Sequence, residues 1–296
     1  METVRLPRFT RAKAILTIQL TERDREIIRH VFYHRFLRST QIVKLAGGSK
    51  QQVLRRLHQL FHHSYLDRPR AQIDYYRNGS QAMVYGIGHR GVKFLEQSLA
   101  IPYRTIDWSA KNRNATRFFL EHTLAVAEVM VALELACRDH DNIELVQHAD
   151  ELLKWSVEVR HRGNAQTIGV IPDRVFGLRR KSNPGETVWY FLEADRATMP
   201  VERHSLKQTS FARKLLAYHE TWRQGVLKSS FPRFRILTVT TTPQRVQNLI
   251  EAGRSFSHGK GSGLFLFTHL DVFKEKKNAL ELEWLDGRGN HVTLAA

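Results

Sequence analysis

The residues best placed to do chemistry lie in a single stretch, 171–196. It reads Ile171-Pro172-Asp173-Arg174-Val175-Phe176-Gly177-Leu178, then a polar turn through Ser182-Asn183-Pro184-Gly185, then Val188-Trp189-Tyr190-Phe191-Leu192-Glu193-Ala194-Asp195-Arg196. Two β-rich runs around such a turn predict a hairpin. Folding it about Asn183-Pro184 sets Asp173 opposite Glu193 or Ala194. Glu193 and Asp195 share one face of their strand, because side chains alternate with period two. Directly opposed positions have Cβ atoms roughly 4.5–5.5 Å apart. Asp173, Glu193 and Asp195 would thus converge on one patch and repel one another unless a cation sits among them. A hard divalent ion that takes oxygen ligands, such as Mg²⁺, is the natural occupant. The alternative is a salt-bridge network in which Arg174, Arg196 or Arg203 neutralises Glu193 and Asp195.

The elements around this hairpin give the pattern α-β-β-β-α-β-α-β. A largely apolar helix is expected over 117–137 and a strand over 143–147. After the hairpin come a helix near 205–222, a strand over 235–241, a helix over 243–252 and a last buried strand over 263–268. The expected fold class is therefore α/β (α+β), with a mixed sheet flanked by helices in the C-terminal part. Glu121 and Glu128, seven residues apart, share one face of the first helix and reach either toward the hairpin or into solvent. Cys137 is the single cysteine, which excludes an internal disulfide, and its apolar surroundings predict a buried, inert thiol.

The chain of 296 residues carries a net charge of +17. The charge is unevenly spread: residues 1–116 hold 21 Lys and Arg against 8 Asp and Glu, and residues 117–296 hold 25 against 21. A basic module joined to a nearly neutral one predicts a polyanionic partner for the first. No apolar run approaches the ~20 residues needed to span a bilayer. The N-terminus lacks the apolar core of a signal peptide, so no membrane association and a cytoplasmic location are expected.

Within the basic part, Thr21 with Asp24 three residues later resembles a capping box ahead of an amphipathic run at Ile27, Ile28, Val31 and Phe32. Ser39 opens a second short helix that stops at Gly47-Gly48, and Ser49 opens a third with Val53, Leu54, Leu57, Leu60 and Phe61 on its apolar face. Three short helices with a glycine turn before the last are the sequence form of a helix-turn-helix. The outward residues of the third, Lys50, Gln51, Gln52, Arg55 and Arg56, suit base edges and phosphates. A two-stranded wing is expected to follow, turning at Asn78-Gly79 and returning through 83–87, with Arg68, Arg70 and Arg77 placed to touch phosphate. These signals predict a winged helix-turn-helix over 1–100 that binds double-stranded DNA, a linker over 101–116 and an α/β domain over 117–296. Such modules often bind palindromes as homodimers. Tyr65, Tyr75, Tyr76 and Tyr85 suit either base stacking, as on RNA, or the core of the wing.

With Thr21-Glu22-Arg23-Asp24, Phe191-Leu192-Glu193-Ala194-Asp195-Arg196-Ala197-Thr198-Met199-Pro200 and the run from Phe231 to Thr240 in view, the chain resembles the replication-relaxation family of plasmid and mobile-element proteins, over about residues 20–270. That resemblance implies a winged-helix DNA-binding domain and a role in plasmid replication or DNA relaxation. The second domain also resembles the restriction-endonuclease-like nuclease fold, whose Pro-Asp…Asp/Glu-x-Lys motif sets two carboxylates and a lysine at a divalent metal. Pro172-Asp173 and Glu193 match it, while Asp195 stands where the lysine belongs. The resemblance thus implies catalytic roles for Asp173, Glu193 and Asp195, with a lysine supplied by the following helix, Lys214 in preference to Lys207, or Arg196 in its stead. Two functions follow: a metal-dependent endonuclease or nickase, or a non-catalytic DNA-binding regulator or initiator that uses the nuclease-like domain as a scaffold.

Overall fold

The computed structural model describes residues 8–12, 17–73, 81–99, 108–148, 153–161, 164–275 and 278–295. It contains both helices and mixed sheet, in two compact units, Met1–Val131 and Ala132–Ala296.

In the first unit, α1 (Glu22–His34) begins with a reciprocal cap. The Asp24 N–H donates to Thr21 Oγ1 at 3.3 Å, and the Thr21 N–H donates back to the Asp24 carboxylate at 2.8 Å. α2 (Ser39–Ala46) ends at Gly47 and Gly48, both at positive φ, a backbone that glycine adopts without Cβ strain. α3 (Lys50–His62) starts at the Ser49 cap. Ile27, Ile28, Val31, Ile42, Val53, Leu57, Leu60 and Phe61 from these three helices are buried together. An antiparallel sheet in the order β1 (Phe36–Arg38), β3 (Val84–Ile87), β2 (Leu66–Asp67) completes the unit. β1 is an addition to the expected two strands: the apolar pair Phe36-Leu37 between two helices is too short to show periodicity. The expected Asn78-Gly79 turn lies outside the described residues.

The linker expected over 101–116 is in part structured. α4 (His89–Leu99) precedes it, and α5 (Trp108–Arg113) forms within it. Asn112 on α5 is buried and donates to the Ile87 carbonyl at 2.8 Å, so this segment belongs to the first unit. The division between the units falls inside α6 (Arg117–Arg138), beyond the expected boundary at residue 117; Leu120 and Leu124 pack with Phe36 and Val84.

The second unit is built on a seven-stranded sheet, ordered β12-β11-β10-β9-β8-β7-β4. β4 (Ile143–Gln147), β7 (Arg174–Arg180) and β8 (Thr187–Ala194) form an antiparallel meander. α7 (Phe211–Arg223) then crosses to β9 (Phe234–Thr240), parallel to β8, and α8 (Pro243–Ser255) to β10 (Phe265–His269), parallel to β9. β11 (Trp284–Asp286) and β12 (His291–Val292) extend the sheet beyond the strand expected to be last.

One element departs from the expected order. β5 (Trp155–His161) and β6 (Asn164–Val170) pair as a separate antiparallel hairpin. Val157, Val159, Ile168 and Val170 on its inner face are buried against Leu215, Leu216 and Tyr218 of α7. Each such side chain contributes about 1.5–3 kcal/mol when fully buried. Trp155 Nε1 donates to Thr221 Oγ1 at 2.8 Å, fastening the hairpin to the helix. Among the described residues, no helix is long and apolar enough to cross a membrane.

Candidate functional site

The β7–β8 hairpin pairs Arg174 with Leu192, so one step further Asp173 stands across from Glu193. The Asp173 N–H continues the ladder to the Leu192 carbonyl at 3.1 Å, and its Oδ2 accepts the Ala194 N–H at 2.8 Å. Glu193 is 1% exposed, a carboxylate inside the protein. Two residues of α7 make this tolerable. Lys214 Nζ forms an ion pair with Oε2, and the Tyr218 hydroxyl donates to Oε1 at 2.5 Å. Lys214 and Tyr218 are four apart and so share one helix face.

Burial pushes the Glu193 carboxyl up to about 7, and the nearby Asp173 charge adds to this while Lys214 and Tyr218 oppose it. For Lys214 burial works against the charge, but Glu193 and Asp173 outweigh it and raise its pKa. Tyr218 is raised by burial and by the Glu193 charge, so it serves as a donor that does not ionise. Two carboxylates from opposed strands bring hard oxygen donors to one place. Such oxygens are the donor type that a hard divalent cation takes.

Asp195 stands close enough for its charge to help raise Lys214, but its own oxygens are taken by partners other than Asp173, Glu193 or Lys214. It lies past the end of β8, where Arg245 Nε reaches Oδ2 at 2.8 Å and a terminal nitrogen reaches Oδ1 at 3.2 Å. Thr240 Oγ1 and the Ala197 N–H complete its partners at 2.8 and 3.0 Å. Arg245 also donates to the Met199 carbonyl, so Asp195 fixes the turn that follows the strand. Tyr218 is a partner of Glu193 that was not expected. The sequence did carry a signal for it in the i, i+4 spacing from Lys214. Glu121 is paired with Arg117 and Glu128 with Gln41 and Arg38, and Lys207 is exposed. Cys137 is a buried free thiol that burial pushes up to about 11, as expected of an inert one.

On the first unit, Lys50, Gln51, Gln52 and Arg55 are exposed at the N-terminal half of α3, as is Arg70 beyond it. Arg56 is different. It clamps the fully buried Asp24 at 2.9 and 2.5 Å and also reaches the Gln19 carbonyl and Gln59. Burial alone would push Asp24 up, but the Arg56 and Thr21 hydrogen bonds hold it below the usual range. Arg68 is buried, against the expectation of a phosphate contact. It stacks 4.0 Å over Phe61, donates to Tyr85 Oη at 3.1 Å and to the Arg8 carbonyl. Arg77 lies outside the described residues. Tyr65 and Tyr85 are buried core residues and not stacking platforms; Tyr75 and Tyr76 lie outside the described residues.

No curated protein and no solved structure matches the chain. The family model for replication-relaxation matches residues 28–233, from within α1 to the approach to β9, and the chain belongs to the replication-relaxation family.

Proposed function

We propose that the chain is a DNA-binding protein of plasmid or mobile-element replication or relaxation, with a winged helix-turn-helix in its first unit and a restriction-endonuclease-like metal nuclease in its second. Family membership supports the role in replication or relaxation. The order α6-β4-β7-β8-α7-β9, an antiparallel meander followed by a helix and a parallel strand, supports the nuclease scaffold. One observation carries the reading: Glu193, at the end of the second hairpin strand, meets a lysine supplied by the next helix instead of from its own strand.

Mg²⁺ or Mn²⁺ held by Asp173 and Glu193 would supply an activated water and offset charge on the phosphate. Tyr218 holds Glu193 in place through Oε1. Lys214 neutralises Glu193 and offers an ammonium to the phosphate oxygen that gains charge in the transition state. Duplex DNA docks on α3 through Lys50, Gln51, Gln52 and Arg55, with Arg70 as a further phosphate contact.

Supercoiled plasmid incubated with Mg²⁺ or Mn²⁺ should be nicked by the wild type and left intact by Asp173→Ala and Lys214→Ala. Equal nicking by all three refutes the site. A second reading, a regulator that binds without cutting, draws on the fact that both Glu193 oxygens already have partners. Specific duplex binding with no nicking under either metal would favour it.

A further inference from the structure

A second feature of the C-terminal unit lies away from Asp173 and Glu193. A cleft of about 720 Å³ opens at the C-terminal end of α7, lined by His219, Glu220, Arg223, Phe256, Lys260 and Arg288 among others. Such a volume suits a ligand the size of a nucleotide. Arg223 is nine residues beyond Lys214, roughly 13 Å along the helix axis.

Two glycines build the cleft. A Cβ on Gly261 would fall 1.9 Å from the Gly287 carbonyl oxygen, and one on Gly287 would fall 2.5 Å from that of Ser262. Only bare backbone allows the two segments to touch, and their contact brings Lys260 and Arg288 to the same opening. Glu220 adds little negative charge, because Arg223 meets it at 2.6 Å and Gln224 at 2.8 Å. Among the described residues, the Lys260 and Arg288 side chains have no ion-pair or hydrogen-bond partner. Beside these cations runs a row of rings: Phe256 lies 5.4 Å from His219, and His219 lies 6.2 Å from Trp222. Trp222 is 55% exposed and stands outside the cleft lining, next to His219 of that lining.

Unpaired cations beside an exposed indole match the chemistry of a single nucleic-acid strand, whose bases stack on aromatic faces while cations track its phosphates. A duplex cannot use the indole, because its bases are already stacked on both faces. We propose that this cleft and its margin bind single-stranded DNA, with phosphates on Lys260 and Arg288 in the cleft and a base stacked on Trp222 beside it. DNA is favoured over RNA by the family to which the chain belongs. The proposal does not depend on cleavage at Glu193.

The test uses the full chain in EDTA, a labelled thymidine oligonucleotide, a duplex of equal length and a uridine oligoribonucleotide, read by fluorescence anisotropy. Trp222→Ala should weaken binding of the DNA single strand about tenfold or more. Lys260→Ala with Arg288→Ala should lower its salt slope by about 1.4, roughly 0.7 per lost phosphate contact. Duplex binding should be unchanged in both, while Arg55→Ala should show the reverse pattern. Wild-type affinity for the DNA single strand in both cleft variants overturns the proposal, as does an equal loss of single-strand and duplex binding. Tighter, Trp222-dependent binding of the ribonucleotide overturns the assignment to DNA.

Discussion

Arg245 holds Asp195 by both carboxylate oxygens, and the pair is almost wholly removed from solvent. Two residues earlier on the same strand, Glu193 is met instead by a lysine and a tyrosine from α7. The two acids therefore differ in what their removal does. Asp195→Ala leaves a mostly buried guanidinium with only its Met199 contact, a change that costs about 3 kcal/mol, the low end for buried pairs. Urea denaturation should show that loss, whereas Asp173→Ala, at a half-buried position, should stay close to wild type. Equal stability of Asp195→Ala and wild type would mean that the Arg245 pair does not hold the turn after β8.

Lys214 and Tyr218 separate by the type of effect. Lys214→Ala should reduce nicking of the folded protein about 10²–10³-fold, the range for losing one electrostatic contact to a transition state. It should also lower stability, because buried Glu193 loses its ion partner. Tyr218→Phe should cost about 1.5–3 kcal/mol of stability, because one oxygen of a buried carboxylate loses its donor. Nicking measured below both melting transitions distinguishes them, because Tyr218→Phe keeps the ammonium. A Tyr218→Phe protein as stable as wild type contradicts the hydrogen bond to Glu193.

Adjacent arginines on α3 give a second contrast. Arg55 is exposed and Arg56 grips buried Asp24. Arg55→Ala should leave the melting temperature unchanged and reduce the salt slope of duplex binding by about one. Arg56→Ala should lower stability by about 3 kcal/mol or more. The reverse pattern in paired melting and binding curves would exclude this division of labour.

His62 supplies a pH dependence. Its Nδ1 accepts the Ala12 N–H at 3.1 Å, and burial, with His58, Arg68 and Arg11 nearby, pushes its pKa down to about 4. An unfolded histidine titrates near 6.5. Between those values the unfolded chain binds the extra proton, so this contribution is complete above pH 6.5 and lost as pH falls toward 4. Urea unfolding across that window should show the slope, and His62→Asn, which keeps an acceptor near the Ala12 N–H, should flatten it. An unchanged slope in the variant assigns the effect to another group.

Much of the architecture is legible in the chain because it depends on local pattern. The Asn183-Pro184 turn and two alternating runs set the β7–β8 pairing, and so the meeting of Asp173 with Glu193. The i, i+3, i+4 spacing of apolar residues marks α1, α3 and α6. The partners of single polar groups are not legible, because they come from distant segments. Nothing near Asp195 announces Arg245, and Arg68 looks like any surface arginine until Phe61 and Tyr85 enclose it. The β5–β6 hairpin is faint in sequence for a different reason. Val157 and Val159 alternate with Glu158 and Arg160, but the returning run Ala165-Gln166-Thr167-Ile168-Gly169-Val170 has only two large apolar residues to mark its inner face. The placement of Lys214 beside Glu193 follows from the length of α7 and its start at Ser210, which sequence pattern locates to within a few residues.

The β5–β6 hairpin also bears on the order in which the second unit assembles. It is inserted between β4 and β7, two strands that must pair with each other. Pairing of β7 with β8 closes a short loop, whereas β4 can join only after the whole intervening segment is brought round, at an entropic cost that grows with loop length. The two halves of the sheet should then mature at different times, with β7–β8 the earlier. In pulse-labelled hydrogen exchange during refolding, amides of Phe176 and Tyr190 should gain protection ahead of those of Glu144 and Val146. The sheet edge formed by β4 would be the slow step, leaving the β7 edge open in the meantime to pairing with another chain, a route to aggregation that the finished fold closes.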